Sequence, residues 1–320
     1  FELLTKWESL SPEFPIDFGN SKNGFKLFNI GDFNNDGVPD IGLKTSKSSI
    51  VWDKKFGGPK HEEPTSIQQT SDGGYIIAGG NTLDLYDSTG EPVGSIEDVW
   101  ILKLDSFGNK IWDKTLGGSG FDYANSIQQT SDGGYIIAGY TSSSDGDITD
   151  GNNGWNDCWV LKLDSNGNKI WDKTLGGSRG EGFTSIYLTS DGGYIIAGNT
   201  ESSDGDITDG NNGYDDYWIV KLDNNGNKIW DKTLGGSGFD YANSIQQTSD
   251  GGYIIAGYTY SNDGDISDGN NGSSDCWIVK LDNSGNKVWD KTFGDQHYNN
   301  ALVIQQTFDG GYIIGCETST

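Results

Sequence analysis

Ser126–Gly139 reads SIQQTSDGGYIIAG, and this stretch decides the fold because the chain repeats it. The same letters stand at Ser66–Gly79 and Ser244–Gly257, with close variants at Ser185–Gly198 and Val303–Cys316. A second anchor, Trp followed by Asp-Lys, recurs at intervals of 60, 59, 59 and 59 residues: Trp52, Trp112, Trp171, Trp230 and Trp289. The chain is therefore an array of one structural unit, and we expect Trp112, Trp171, Trp230 and Trp289 in its core.

Each unit predicts four short strands joined by two tight turns. In the second unit the strands cover Ser126–Thr130, Tyr135–Tyr140, Trp159–Leu163 and Ile170–Leu175. Asp-Gly and Asn-Gly in the links after the first and third strands supply the positive φ that hairpin turns need. The strands are continuous apolar runs, which indicates a sheet buried on both faces. Such a sheet, repeated at this spacing, predicts an all-β fold of β-propeller blades.

The two ends of the chain predict how the propeller closes. Residues 301–320 supply only the first two strands of a unit, and residues 26–56 resemble the missing outer pair. The complete blades cover about 65–116, 124–175, 183–234 and 242–293. We expect one propeller domain over 26–320, with five blades and a ring closed by the terminal strands, because closure removes exposed strand edges. Residues 1–25 form an additional arm in this interpretation. The alternative is a piece of a longer propeller.

Composition excludes several classes of protein. The 320-residue chain carries a formal net charge of −26, which repels nucleic acid and anionic membrane surfaces. No apolar run is long enough to insert into a membrane as a helix. The 11 Trp, 15 Tyr and 13 Phe are too many for a disordered acidic tail. The three Cys are expected to be small buried apolar residues rather than a disulfide scaffold. The chain contains no Met, so we expect a processed chain from which any signal peptide is gone.

Long acidic loops join the second and third strands of three units. These inserts cover 141–157, 200–216 and 259–275, and they contain no Lys or Arg. Clustered carboxylates repel one another unless a cation neutralises them, and oxygen ligands between Gly turns suit Ca²⁺. The alternative is a solvated loop whose Asp and Asn side chains cap backbone groups. The predicted calcium ligands are Asp145, Asp147, Asp150, Asp204, Asp206, Asp209, Asp263, Asp265 and Asp268.

A separate calcium motif lies near the N-terminus. Residues 32–40 read DFNNDGVPD, with oxygen ligands at positions 1, 3, 5 and 9 and a Gly at position 6 for the sharp turn. The predicted ligands are the side chains of Asp32, Asn34, Asp36 and Asp40 and the carbonyl of Val38. The loop resembles the FG-GAP calcium loop of integrin-type propellers. That loop joins the first two strands of a blade, whereas the register counted from Trp52 places this one before a third strand.

A longer stretch carries a second resemblance. LGGSGFDYANSIQQTSDGGYIIAGYTSSSDGD at 116–147, followed by DCWVLKLDSNGNKIWDKTLGGS at 157–178, resembles the bacterial surface β-propeller repeat of the SBBP type. The resemblance covers about 51–320. It implies a propeller that is secreted or attached to the cell surface, in a family mostly without assigned activity. An extracellular or cell-surface location is therefore expected.

Aromatic residues beside the acidic inserts predict a binding face. In a propeller the inserts and the loops between blades share one face, and here that face carries all the long loops. Aromatic rings stack on the apolar face of a sugar while amides and carboxylates bond its hydroxyls. The predicted ligand-binding residues are Tyr123, Trp155, Tyr214 and Tyr241, with Tyr140 and Tyr258 nearby. Phe121 and Phe239 are expected instead to fill gaps between blades.

Three functions follow from these patterns. The leading hypothesis is a non-catalytic extracellular propeller that binds calcium and presents an acidic face to a glycan or a surface protein. The first alternative is a structural spacer or a filament or surface-layer subunit, whose arm at 1–25 mediates self-association. The second is a glycoside-active enzyme, for which Asp122 and Asp240 are candidates by position only. Near-identical blades lack the unique arrangement that catalysis needs, so we expect no enzyme.

Overall fold

The computed structural model describes residues 54–57, 62–86, 89 and 91–319. The chain divides into two compact units, Phe1–Lys55 and Phe56–Thr320, and the strands given below all belong to the second. The arm at 1–25, the loop at 32–40 and nearly all of 26–56 lie outside the described residues. The predictions made for those segments therefore stay predictions.

The described residues form eighteen strands and no helix, so none of them belongs to a helix able to cross a membrane. The first sheet contains β1 (Glu62–Gln69), β2 (Tyr75–Tyr86), β3 (Pro92–Leu104) and β4 (Lys110–Leu116). The second contains β5 (Asp122–Gln129), β6 (Tyr135–Thr141), β7 (Asp157–Leu163) and β8 (Lys169–Leu175). The third contains β9 (Glu181–Leu188), β10 (Tyr194–Thr200), β11 (Asp216–Leu222) and β12 (Lys228–Leu234). The fourth contains β13 (Asp240–Gln247), β14 (Tyr253–Thr259), β15 (Asp275–Leu281) and β16 (Lys287–Phe293). A final hairpin contains β17 (Asn299–Gln306) and β18 (Tyr312–Thr318).

Each four-stranded sheet is an antiparallel meander whose strands pair in chain order, and it is called a blade below. The all-β fold and the four-stranded repeat are thus confirmed. The first strand of each blade starts earlier than its apolar run, at Asp122 rather than Ser126 in blade 2. The reason is a bulge between Ala124 and Ser126, beyond which Asp122 pairs with Thr141 and Tyr123 with Tyr140.

A charged turn fixes the first hairpin of each blade to its third strand. In blade 2 Gly133 adopts φ +82°, and the Asp132 carboxylate accepts a 2.9 Å hydrogen bond from the Gly134 amide. The buried Lys162 ammonium on β7 forms a 2.9 Å ion pair with Asp132 and donates a 2.9 Å hydrogen bond to Thr130 Oγ1. Partial burial raises the pKa of Asp132, but the hydrogen bonds from Thr130 and Lys162 outweigh burial and hold it at about 2.

The core lies between consecutive blades, which pack face to face. One cluster joins Ile136 and Val160 of blade 2 to Phe183 and Trp218 of blade 3, and equivalent clusters occupy the other junctions. The fully buried Trp residues are those of the third strands, Trp159, Trp218 and Trp277. The prediction that the repeated Trp residues form the core is only partly right, since they are half-buried on the fourth strands, where Trp112 packs against Tyr135 of the next blade: Trp112, Trp171, Trp230 and Trp289.

Candidate functional site

The inserts and the interblade loops lie together on one face, which we call the insert face. The interblade loops cover 117–121, 176–180, 235–239 and 294–298. Backbone hydrogen bonds join each insert to the loop before it, as from Asp147 N to Gly117 O at 2.9 Å. Its other end reaches the next loop, as from Trp155 N to Arg179 O at 2.9 Å. Each insert therefore spans two blade junctions.

The insert carboxylates are already engaged. Asp145 Oδ1 accepts a 2.7 Å hydrogen bond from Ser119 N, and Asp147 Oδ2 accepts a 3.2 Å one from Gly117 N. Asp150 forms a 3.1 Å ion pair with Lys173, a residue of the fourth strand. The same three contacts recur in the next two inserts for Asp204, Asp206, Asp209, Asp263, Asp265 and Asp268. The three carboxylates of an insert thus face different partners.

These contacts do not resemble a formed metal site. Within residues 54–57, 62–86, 89 and 91–319, no three His, Cys, Asp or Glu side chains come together as a metal would require. Two carboxylates of each insert cap backbone amides, which is the alternative that the sequence left open, and the third pairs with a lysine. To bind calcium they would have to release those amides and lysines, so calcium in the inserts stays a prediction.

A second set of carboxylates is fully buried where one blade meets the next. Asp157, Asp216 and Asp275, here called the junction carboxylates, are the first residues of β7, β11 and β15, and each has 0% exposure. The Oδ2 atom of each accepts a hydrogen bond from an insert amide, for example from Asn212 N at 2.8 Å to Asp216. The Oδ1 atom of each has no hydrogen-bond partner within the described part of the chain.

Two of the junction carboxylates, Asp157 and Asp216, face a further acidic group across a glycine, whereas Asp275 faces the amide of Asn299. A Cβ on Gly235 would lie 2.2 Å from Asp216 Oδ1 and 2.7 Å from Asp240 Oδ2, so only glycine fits between them. Burial, together with the negative charges of Asp240 and Asp265, raises the pKa of Asp216 to about 7. Burial also raises the pKa of Asp157 to about 6. Asp216 therefore titrates near neutral pH.

An aromatic cluster covers the junction of blades 3 and 4. The rings of Tyr214 and Phe239 are stacked, with centroids 4.6 Å apart, and their exposures are 62% and 40%. From Phe239 the rings continue in contact to Tyr298 in the loop before the last hairpin, with centroid distances of 5.2 to 6.3 Å. The aromatic patch is defined as Tyr214, Phe239, Tyr241, Tyr258, Tyr260 and Tyr298.

Polar groups surround the aromatic patch. The Tyr241 hydroxyl donates a 2.8 Å hydrogen bond to Asp215, and burial together with this carboxylate raises the pKa of Tyr241. A surface depression is lined by Asn212, Ser237, Asp263 and Asp265, with Gly236 and Gly264. Asn212 and Ser237 stand two residues before Tyr214 and Phe239 in the sequence. The site therefore combines exposed rings with amide, hydroxyl and carboxylate oxygens.

The predicted ligand-binding residues fall in different places. Tyr214 and Tyr241 lie in the aromatic patch, whereas Tyr123 stacks on Tyr140 in blade 2 at 5.8 Å. Trp155 is 72% exposed, but Gly180 occupies the place that Phe239 has beside Tyr214. The expectation that Phe121 and Phe239 fill gaps is wrong, since both are exposed. Tyr260 and Tyr298 could not be singled out, because their equivalents in other repeats include Ser142 and Gly180.

The two carboxylates considered for glycoside hydrolysis are buried. Asp122 Oδ2 accepts hydrogen bonds from Gly118 N at 2.7 Å and Ser143 Oγ at 2.8 Å. Asp240 Oδ2 accepts the equivalent bonds from Gly236 N and Ser261 Oγ, and both residues have 0% exposure. In this arrangement the two carboxylates cap the interblade loops.

The comparisons with known proteins find distant similarities. No protein-family model matches the chain. A segment is 27% identical over 145 residues to the regulatory protein FlaEY of Caulobacter vibrioides, covering 41% of this chain and only 15% of that protein. The similarity is therefore confined to a small part of FlaEY.

Solved structures are similar in fold only. A protein of unknown function from Bacteroides caccae is 14% identical, covers 76% of this chain and 85% of its own, and gives a TM-score of 0.38. The Pan2 WD40 domain of Neurospora crassa is 10% identical, with coverages of 79% and 72% and a TM-score of 0.42. A Synechocystis apocarotenoid oxygenase variant is 13% identical, with coverages of 77% and 53% and a TM-score of 0.42. None of these similarities bears on function.

Proposed function

We propose that this chain is a non-catalytic, extracellular β-propeller module that binds a neutral glycan on its insert face. The observation that carries the proposal is the exposed stack of Tyr214 on Phe239. Contiguous exposed apolar surface is uncommon on soluble proteins and marks sites of interaction. A carbohydrate that covered these rings would remove their apolar surface from water.

The fold itself does not require these rings. At the junction of blades 2 and 3, Gly180, Gly182 and Asn199 occupy the places of Phe239, Tyr241 and Tyr258, and that junction packs equally well. Phe121, Tyr123 and Tyr140 hold the same places at the junction of blades 1 and 2, so the feature added at the junction of blades 3 and 4 is the stack of Tyr214 on Phe239. Surface additions of this kind are best explained by a ligand.

The chemistry of the patch favours a neutral sugar. Aromatic faces contact the apolar C–H surface of a sugar, while Asn212, Ser237 and Asp263 offer partners for its hydroxyls. The net charge of −26 opposes sulfated or otherwise anionic glycans. An aromatic face without cationic side chains is less suited to an acidic protein partner.

A panel of immobilised neutral glycans, followed by calorimetry on any retained sugar, tests the proposal. Tyr214→Ala and Phe239→Ala should each weaken binding about fivefold or more, because stacked aromatic contacts contribute roughly 1 kcal/mol or more. Phe107→Ala and Phe308→Ala are matched controls, since both rings are more than 70% exposed but lie in hairpin turns away from the insert face. If all four variants are retained on the glycan as strongly as the natural chain, the assignment of the site is wrong.

Calcium is the second candidate ligand, and the junction carboxylates favour it. Asp216 Oδ1 is buried without a hydrogen-bond partner in the described part of the chain, and Asp240 lies across Gly235 from it. A bound cation would supply the missing partner and offset the repulsion between the carboxylates. A proton shared at neutral pH is the competing explanation, because the pKa of Asp216 is about 7.

A five-bladed ring is part of the same proposal. The strand β18 is exposed over much of its length, whereas the equivalent strands β6, β10 and β14 are almost entirely buried. Residues 26–56 would supply the missing neighbour. Hydrogen exchange on the full chain tests this, since pairing should protect the β18 amides at Tyr312 and Ile314, which face away from β17. Exchange of those amides at the rate of a free edge would overturn closure, and self-association through 1–25 would then need its own test.

A further inference from the structure

We infer that Cys276 and Cys316 form a reversible disulfide that fastens the last hairpin of the chain to blade 4. Their sulfur atoms lie 3.2 Å apart. Cys276 is buried on β15, and Cys316 is exposed on β18. The exposed position of Cys316 differs from the sequence expectation that all three cysteines are buried. The inference does not depend on the proposed glycan site.

The repeat shows that this pair is a departure from the common plan. A glycine occupies the place of Cys316 in the four other second strands: Gly79, Gly139, Gly198 and Gly257. A Cβ on Gly139 would lie 1.8 Å from the Tyr123 carbonyl oxygen, and on Gly257 it would lie 1.9 Å from that of Tyr241. Glycine is therefore the residue that this position normally needs, because a Cβ would contact the carbonyl oxygen of the first strand. Cys316 is the exception.

The replacement occurs where the preceding blade offers a second thiol. The place of Cys276 is taken by Tyr217 in blade 3 and by Cys158 in blade 2. Strand β10 of blade 3 lies where β18 lies relative to Cys276, and it carries Gly198 at the position of Cys316. The Cys158 thiol therefore has no sulfur partner there. All three cysteines of the chain lie in the described residues, and the two that belong to neighbouring sheets at one junction are the two in contact.

The two thiols have complementary reactivity. The hydrogen bond from Cys276 lowers the pKa of Cys316, and the neighbouring Cys316 sulfur together with burial raises the pKa of Cys276. The exposed thiolate of Cys316 can attack a small disulfide such as oxidised glutathione, and one glutathione thiol leaves. Cys276 then gives up its proton and attacks the Cys316 sulfur, and the second glutathione thiol leaves. The protein loses two electrons and two protons, and the small disulfide is reduced to two thiols.

The bond would act on a hairpin whose outer strand, β18, is largely exposed. The hairpin β17–β18 contacts blade 4 through the small cluster of Ala301, Ile304, Ile254 and Ile278, with Tyr312 and Ile314 only partly buried. A cross-link between residues 276 and 316 restricts the unfolded chain and holds this hairpin in place. It would also fix Tyr298, which precedes β17 and accepts a hydrogen bond from Ser319 N at 3.0 Å.

The test is to equilibrate the full chain in glutathione buffers of defined ratio and to count free thiols by alkylation and mass spectrometry. We expect one free thiol, Cys158, and a cross-linked 276–316 peptide in oxidising buffer, with three free thiols after reduction. Oxidation should raise the melting temperature by about 3 °C or more. Three free thiols in every buffer would overturn the inference.

Matched variants separate the bond from general effects of oxidation. Cys158→Ser should behave as the natural chain does, with the cross-link and the melting shift retained. Cys316→Gly, which restores the residue of the other repeats, and Cys316→Ser should both lose the cross-link and the shift. An oxidation-dependent melting shift that persists in Cys316→Gly would contradict the assignment even if that variant is less stable.

Discussion

The ring of Tyr214 lies over the ring of Phe239, with centroids 4.6 Å apart and planes inclined by 15°. Tyr214 belongs to the insert of blade 3, and Phe239 ends the interblade loop that leads into blade 4. A 3.2 Å hydrogen bond from Tyr214 N to Gly238 O holds the two loops together. The pair is therefore positioned by backbone contacts that do not depend on the rings. Either ring can be changed while the loops keep their course.

The junction of blades 2 and 3 offers a gain-of-function test of the glycan proposal. The Trp155 side chain is 72% exposed there, but Gly180 has no ring on which Trp155 could stack. A Cβ at Gly180 meets nothing closer than Glu201 Oε1 at 3.5 Å, so a side chain is accommodated. We expect Gly180→Phe to create a second aromatic stack and to raise the number of sugars bound per chain in calorimetry. Gly180→Ala is the control, and an unchanged number of sites in Gly180→Phe would count against the role of stacking.

Asp216 should make the stability of the protein fall as the pH rises. Burial raises its folded-state pKa from 3.8 to about 7, so folding favours the protonated form. The stability that this group contributes is complete below about pH 4 and is lost as the pH rises through about 7. Asp216→Asn keeps the shape of the side chain without its charge. Compared with the natural chain, the variant should gain on the order of 3 kcal/mol in the free energy of unfolding between pH 4 and pH 8.

Thermal melting at several pH values checks this prediction. Asp209→Asn is the control, since Asp209 is exposed and its ion pair with Lys232 is worth little. If the melting temperatures of the natural chain and of Asp216→Asn change with pH in the same way from pH 4 to pH 8, then Asp216 is not buried as a proton-binding group.

Calcium gives a separate prediction at the same junction. If the junction carboxylates bind calcium, EDTA should lower the melting temperature at pH 8, and added Ca²⁺ should restore it. Asp216→Asn should reduce that response, whereas Asp150→Asn should leave it intact because Asp150 is paired with Lys173. A melting temperature that ignores both EDTA and Ca²⁺ would remove the second candidate and leave the proton as the partner of Asp216.

Lys162 should be far more important for stability than the exposed Lys173 of the same blade. Its ammonium is buried and bonds Thr130, Asp132 and the Leu163 carbonyl. Lys162→Met removes the ion pair with Asp132 and the hydrogen bonds donated to Thr130 Oγ1 and the Leu163 carbonyl, and we expect a loss of about 2–4 kcal/mol in the free energy of unfolding. Lys173→Met removes an exposed pair and should cost under about 1 kcal/mol. Denaturant unfolding measures both, and equal losses would disprove the role of burial.

The sequence by itself determined the local structure of the repeat. The Ser131-Asp132-Gly133-Gly134 turn needs a left-handed glycine, and the apolar run from Tyr135 needs burial on two faces, so hairpin and sheet follow from nearest neighbours in the chain. The period of the repeat then fixes four strands per unit. The prediction that the long acidic inserts share a face also needed only strand counting, since successive antiparallel strands end on alternate sides.

Only the tertiary structure decided which side chains meet across blade junctions. Asp216 and Asp240 approach each other through Gly235, Tyr214 reaches Phe239, and Cys276 reaches Cys316, although these partners stand 24, 25 and 40 residues apart. The repeated Trp residues proved to be junction residues for the same reason. A repeat reports what each blade shares, but a contact between blades depends on the angle and distance at which two sheets pack, and no local pattern in the chain encodes either.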